Sequence, residues 1–155
     1  MEKENKKVSR GYLMVKPWYA ENEEVIDMVK TRALEEGLSI VKARFVKYDE
    51  LSAREHYIEH VGKPFFPKVI TYITSGKVYG MIVEGKDAIK KIRKICGSTK
   101  DPEKGTLRYD VPKKLGIEIR VTENVVHASD SEEAAEREIA IFESLPEYVS
   151  EPVNE

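Results

Sequence analysis

The stretch NVVHASDSEEAAEREIAIF, residues 124–142, reads as a short strand that passes directly into a capped helix. Asn124 to His127 carries the β-branched pair Val125 and Val126, and Ser129-x-x-Glu132 has the form of a capping box, so the spacing predicts a helix from Ser129 to about Glu143. Helical periodicity sets Ser131, Ala134, Glu138 and Ile141 along one stripe, with Ala135, Ile139 and Phe142 beside it. Glu138 thus falls among apolar positions, where an ionised carboxylate needs a partner. His127 stands at the strand end, just before the helix start, where free backbone N–H groups favour anions. A carboxylate that accepts from one ring nitrogen of a histidine fixes its tautomer and frees the other nitrogen as a nucleophile. The residues alone leave a second reading open, in which His127 is a core histidine and Glu138 rides the solvent edge of its helix.

Working back toward the N-terminus, the same strand and helix alternation recurs. Tyr12 to Lys16 is a strand stopped by Pro17. Glu21, Glu23 and Glu24 open a helix whose apolar residues Val25, Ile26, Val29 and Ala33 recur at helical spacing before Gly37. Val41, Ala43 and Phe45 alternate with Lys42 and Arg44, the pattern of a strand with one buried face. Asp49 or Ser52 caps a helix ending near Gly62-Lys63-Pro64, and a shorter one spans Phe66 to Ile73. Val78 to Val83 is an apolar strand closed by a turn at Gly85, and 86–96 is an amphipathic helix with Ile89, Ile92 and Cys96 on one side. Residues 97–121, with three glycines and two prolines, show no sustained period and read as a long irregular loop of functional kind. This order predicts an α+β fold, a ferredoxin-like sandwich with a four-stranded antiparallel sheet covered by helices, in one domain over 1–155.

Bulk properties narrow the function. The chain has 155 residues, 41% hydrophobic and 35% charged, with 26 basic against 28 acidic residues and a net charge of -2. That is a globular composition, and the balanced charge argues against a dedicated nucleic-acid binder. One cysteine, Cys96, leaves no disulfide framework and no multi-thiolate zinc site. The start MEKENKKVSR lacks the apolar core of a secretory signal, and no stretch approaches the roughly 20 apolar residues of a membrane span, so a cytoplasmic protein is expected.

NVVHASDSEEAAEREI closely resembles the nucleoside diphosphate kinase signature N-x-x-H-[GA]-S-D-S. YLMVKP (12–17), REHYIEHVGKPFF (54–66), TSGKVYGMIVEG (74–85) and RKICGSTKDPEKGTLR (93–108) are similar to that family's other motifs, in its order, so the likeness spans residues 11–142. The resemblance implies γ-phosphoryl transfer between nucleotides through a phosphohistidine on His127, with Glu138 orienting the ring and Ser129 assisting Glu138. It further implies Lys16, Arg93 and Arg108 as phosphate ligands with hydroxyls from Tyr57 and Thr99, Asn124 at the sugar, and Phe65 and Val121 on either side of the base. The implied substrates are nucleoside di- and triphosphates, the implied metal is Mg2+ carried by their phosphates, and the implied assembly is a hexamer, or a tetramer built from dimers.

The chain departs from the family pattern at Trp18, where an aspartate is usual, and at Tyr109, where R-G-D becomes Arg108-Tyr109-Asp110. The segment between Arg108 and Asn124 is longer than in common members, and His60 replaces a small apolar residue. Two rival readings follow from the residues. His56-Tyr57-Ile58-Glu59-His60 matches H-x-x-E-H, which on a helix presents two histidines for zinc. A non-catalytic interaction module built on the same fold is the other.

Overall fold

A computed structural model describes residues 7–149. By sequence, residues 1–8 are a polar start and 145–155 (LPEYVSEPVNE) an acidic tail, and both lie mostly outside the described residues. The elements in order are β1 (Val8–Val15), α1 (Glu23–Glu35), β2 (Ser39–Val46), α2 (Glu50–His56), α3 (Phe66–Ile73), β3 (Val78–Lys86), α4 (Ala88–Cys96), α5 (Leu107–Leu115), β4 (Val126–Ala128) and α6 (Glu132–Ser144). They form one four-stranded sheet in the order β2-β3-β1-β4, with every neighbouring pair antiparallel. This is the split βαβ arrangement expected from the element order.

The apolar run Tyr12-Leu13-Met14-Val15 explains why β1 takes an inner position. Leu13 and Val15 pack with Val25 and Val29 of α1 and Ile92 of α4, while Tyr12 and Met14 pack with Ile73 of α3 and Phe142 of α6. Both faces of the strand are buried, so no polar alternation is needed. Gly80 of β3 lets the second layer close: a Cβ there would stand 2.6 Å from Tyr12 Oη and 2.7 Å from the Phe142 ring.

Several local expectations need correction. In β2 a register shift between Ile40 and Lys42 breaks the alternation, so Val41 turns to solvent while Ala43 and Phe45 pack on the core. The α2 helix stops at His56, and a short 3-10 turn, Ile58–His60, takes the chain toward Gly62. β3 runs through Gly85 to Lys86, and the change of direction falls at Asp87, in the left-handed region at φ 53°. The loop expected over 97–121 contains α5, whose Leu107 and Val111 are buried one helical turn apart. Pro112 inside that helix disguises its period, because proline removes a backbone donor there.

The N-cap of α6 sits two residues later than the capping-box motif implies, and it is a single cap without the reciprocal bond, since its N3 residue is Ala134. Ser131 is the N-cap of α6, accepting from the Ala134 N–H at 3.0 Å. Ser129 is still paired with the sheet, its N–H donating to Tyr12 O at 3.1 Å, and its hydroxyl has a different task.

Candidate active site

Two strand ends meet at the site. β4 pairs with β1 so that His127 stands opposite Met14 and Val126 opposite Val15. Immediately upstream, Val125 adopts φ 82°, and Val126 N–H closes back on Asn124 O at 3.0 Å. A β-branched residue in that region costs about 1–3 kcal/mol, which the surrounding contacts must offset. They include full burial of Val125 and a 2.8 Å bond from Lys16 N–H to its carbonyl. This turn brings Asn124 to Lys16, and Lys16 Nζ donates to Asn124 Oδ1 at 2.7 Å.

Behind the strand, Glu138 projects from α6 with 3% of its surface exposed. Its Oε1 accepts from Ser129 Oγ at 2.7 Å and lies 2.9 Å from His127 Nε2. Ser129 Oγ in turn accepts the Tyr12 backbone N–H at 3.0 Å. With that hydroxyl spent as a donor on Glu138, and the carboxylate able only to accept, the network assigns the ring proton to Nε2. Nδ1 is then the free nitrogen of His127. The ring lines the cleft with 16% of its side chain exposed, so an incoming group can reach it. Burial, reinforced by Lys16 and Arg108, holds the His127 pKa well below its ordinary value. The neutral imidazole that results has a lone pair to give. Burial likewise raises Glu138, opposed by His56, the Ser129 bond and Arg137.

The cleft measures about 1020 Å3. Its walls include Lys16, Tyr57, Phe65, Arg93, Thr99, Arg108, Val121, Asn124, His127 and Glu138, that is, every residue expected at the site except Ser129, which stands behind Glu138. Arg108 is braced from below, donating to Gly97 O at 2.6 Å and Val126 O at 2.7 Å. Tyr109 follows it inside α5, where helical geometry asks nothing of a glycine, so that departure from the family pattern leaves Arg108 in place. Buried Tyr57 Oη and Arg108 Nε have no partner, so the wall keeps donors in reserve. Lys16 is pushed down to about 7, by burial first and then by Arg108. Phe65 and Val121 stay 43% and 62% exposed at the cleft, large apolar groups left for something to cover.

The cleft also holds residues the motifs did not single out for it. His56 lies only 4.5 Å, centroid to centroid, from His127, and Arg137 reaches to 3.9 Å from Glu138 Oε2. His56 was visible only as half of H-x-x-E-H, and the break after α2 undoes that motif: His56 is buried, whereas His60 stands on the 3-10 turn facing Lys63 and Phe65. Trp18, at φ 75°, packs edge-on against Tyr72 at 5.0 Å.

A neutral, reachable imidazole held by a buried carboxylate and flanked by Lys and Arg is suited to accepting an electrophilic phosphorus from an anionic donor. Fold and site together define a phosphoryl-transferring enzyme. The nucleoside diphosphate kinase family model matches residues 9–147. A nucleoside diphosphate kinase of Methanosarcina barkeri is 47% identical over 136 residues, 86% of this chain and 87% of that one. One of Listeria monocytogenes is 40% identical over 145 residues, covering 92% and 94%. Among solved structures, the halophilic enzyme of Halobacterium salinarum in complex with CDP superposes with a TM-score of 0.78 at 36% identity, over 93% of this chain and 95% of that one. The chain belongs to the nucleoside diphosphate kinase family. It is a transferase that moves the γ-phosphoryl group of a nucleoside triphosphate to a nucleoside diphosphate through a phosphohistidine. No helix among the described residues is long and apolar enough to cross a membrane.

Proposed function

We propose that His127 is the residue that carries the phosphoryl group and that Nδ1 is the atom that bonds it. The single observation behind this is the chain of contacts from Tyr12 N–H through Ser129 to Glu138 and His127 Nε2, which commits one ring nitrogen and frees the other. Nδ1 attacks the γ-phosphorus, the bond from phosphorus to the β,γ-bridging oxygen breaks, and the diphosphate departs. The imidazolium so formed keeps its Nε2 proton on Glu138, whose carboxylate balances the new positive charge. A second diphosphate reverses the step.

Lys16, Arg93 and Arg108 meet the phosphate charge, with Tyr57 and Thr99 adding hydroxyl donors. Asn124 and Lys16, already bonded to each other, serve the sugar. Phe65 and Val121 hold the base between apolar surfaces without reading its edges, which tolerates any base. The cleft wall offers Lys16, Arg93 and Arg108 with hydroxyls from Tyr57 and Thr99, and the carboxylate bonded to His127, Glu138, is already engaged by it and by Ser129. That donor set suits Mg2+ carried in on the nucleotide, where it neutralises phosphate charge, rather than an ion caged by protein oxygens. The balanced net charge speaks against nucleic acid as a partner, and a cytoplasmic setting fits the lone buried thiol. Exposed apolar residues on the edge strand (Val41), on α1 (Leu34) and beyond α5 (Ile117, Ile119) favour a homo-oligomer, a hexamer or a tetramer of dimers, which light scattering on a sized sample would test.

The test of the reaction is incubation with ATP and Mg2+, then mapping of acid-labile phosphate by mass spectrometry and NMR. Label on His127 Nδ1 that vanishes in His127→Ala is the expected result. Label on another residue, or none on the wild type, defeats the proposal.

A further inference from the structure

His56 has a lone pair with nowhere to go. The residue is 2% exposed on the last turn of α2. Its Nδ1 lies 3.3 Å from Tyr48 Oη, and that hydroxyl donates its own proton to Tyr12 Oη at 3.0 Å. Tyr48 is therefore the acceptor, His56 Nδ1 carries the ring proton, and Nε2 is a bare acceptor. That Nε2 is buried without a partner. Burial first, and the neighbouring His127 second, keep the ring neutral. A histidine whose second nitrogen is anchored by a hydroxyl while the first is bare is the state in which imidazole ligates metals.

Two further donors stand beside it. One ligand atom each from His56, His127 and Glu138 lie within 4.8 Å of one another. Glu138 is steadied by Ser129, as His56 is by Tyr48, so two of the three donors already have outer partners. Two neutral imidazoles and one carboxylate make the set that binds zinc in open sites, with the fourth position facing the cleft. Closure to the tetrahedral spacing of about 3.3 Å between ligand atoms asks only side-chain adjustments. Mg2+, which prefers six oxygens, is poorly served by two nitrogens.

We propose that His56, His127 and Glu138 form an inhibitory site for zinc, distinct from the Mg2+ that travels with nucleotide. The ion takes His127 Nε2, the nitrogen now 2.9 Å from Glu138 Oε1, and the ring proton moves from Nε2 to Nδ1. The lone pair needed for attack is thereby occupied, with no net proton released by the ring. The block rests on the reading of His127 as nucleophile; the binding itself does not.

The experiment is direct zinc binding to the full chain, by calorimetry and by competition with a chromogenic chelator, in excess Mg2+. Expected are one ion per chain and a loss of affinity of about 100-fold in His56→Gln and in His127→Ala. In case His56→Gln misfolds, Tyr48→Phe removes only the anchoring oxygen and is expected to weaken binding about tenfold. Equal zinc affinity in His56→Gln and wild type, no effect of Tyr48→Phe, or no binding at micromolar zinc overturns the site. Protein phosphorylated beforehand on His127 Nδ1 is expected to bind zinc more weakly and with release of a proton, because the Nε2 proton can no longer move to Nδ1. If phosphate labels a residue other than His127 while zinc still needs His56 and His127, the nucleophile assignment falls and the metal site stands.

Discussion

Lys16 offers a quantitative test of how the cleft recognises phosphate. In the free protein its ammonium is held at about 7 instead of 10.5 by burial and by the Arg108 guanidinium on α5. Cys96 on α4 and Glu123 ahead of β4 pull weakly the other way. A nucleotide phosphate set beside it supplies the missing counter-charge and returns the pKa toward the ordinary value. The sign follows: above pH 7 the free lysine is mostly neutral, so binding takes up a proton, and affinity falls as pH rises. With a free value of about 7, roughly nine-tenths of a proton is taken up per site at pH 8 and about one-tenth at pH 6. Near pH 8 the dissociation constant rises close to tenfold per pH unit, or about 1.4 kcal/mol. Calorimetry of diphosphate binding in buffers of different ionisation enthalpy reads the uptake directly. Titration of the nucleotide's own phosphate is common to wild type and Lys16→Met, and subtracts out. A wild-type uptake at pH 8 equal to that of Lys16→Met refutes the argument.

Removing the Ser129 hydroxyl takes one donor from Glu138 and strands the buried Tyr12 N–H, so Ser129→Ala loses about 1–3 kcal/mol of stability in denaturant titration, and its phosphorylation rate falls on the order of tenfold with KM little changed. Gly80→Ala forces a methyl against Tyr12 and Phe142, and loses about 1–3 kcal/mol in the same titration. Phe65→Ala costs about 1–3 kcal/mol in nucleotide affinity, by the same factor for all four bases; a base-selective loss in steady-state KM would refute platform stacking. Arg137→Met removes the guanidinium 3.9 Å from Glu138 Oε2 and slows single-turnover phosphorylation, with partial rescue in Arg137→Lys.

Much of the fold is legible because local and tertiary preferences agree. The helix after Asn22 carries acids in its first turn and an apolar stripe inward, and the shorter helix lies at Phe66–Ile73, where the sequence predicts it. Where the two disagree, the sequence misleads. Val41 belongs to the alternation by pattern, but the bulge beside it is set by pairing with β3. Ser129 and Ser131 compete for one cap, and Ser129 loses because its backbone N–H is already bonded across to Tyr12. α5 hides behind Pro112. The cleft residues are readable through several short motifs recurring in a fixed order, and all but Ser129 line one cavity. His56 is not, because its place beside His127 exists only once α2 has packed against α6, a contact that no spacing within one segment expresses.

The inner position of β1 ties the beginning of the site to its end. Lys16 follows the first strand, while Asn124, His127 and Glu138 come more than a hundred residues later, yet one hydrogen bond joins Lys16 to Asn124. On the ribosome, at roughly 5–20 residues per second, several seconds separate the two halves of the cleft. Once β3 has emerged, and until β4 does, β1 has β3 on one side and an open edge on the other, the edge β4 will later fill. A nascent chain therefore lacks a complete cleft until α6 clears the exit tunnel, and its most exposed pairing edge in the meantime is the one beside which His127 will stand.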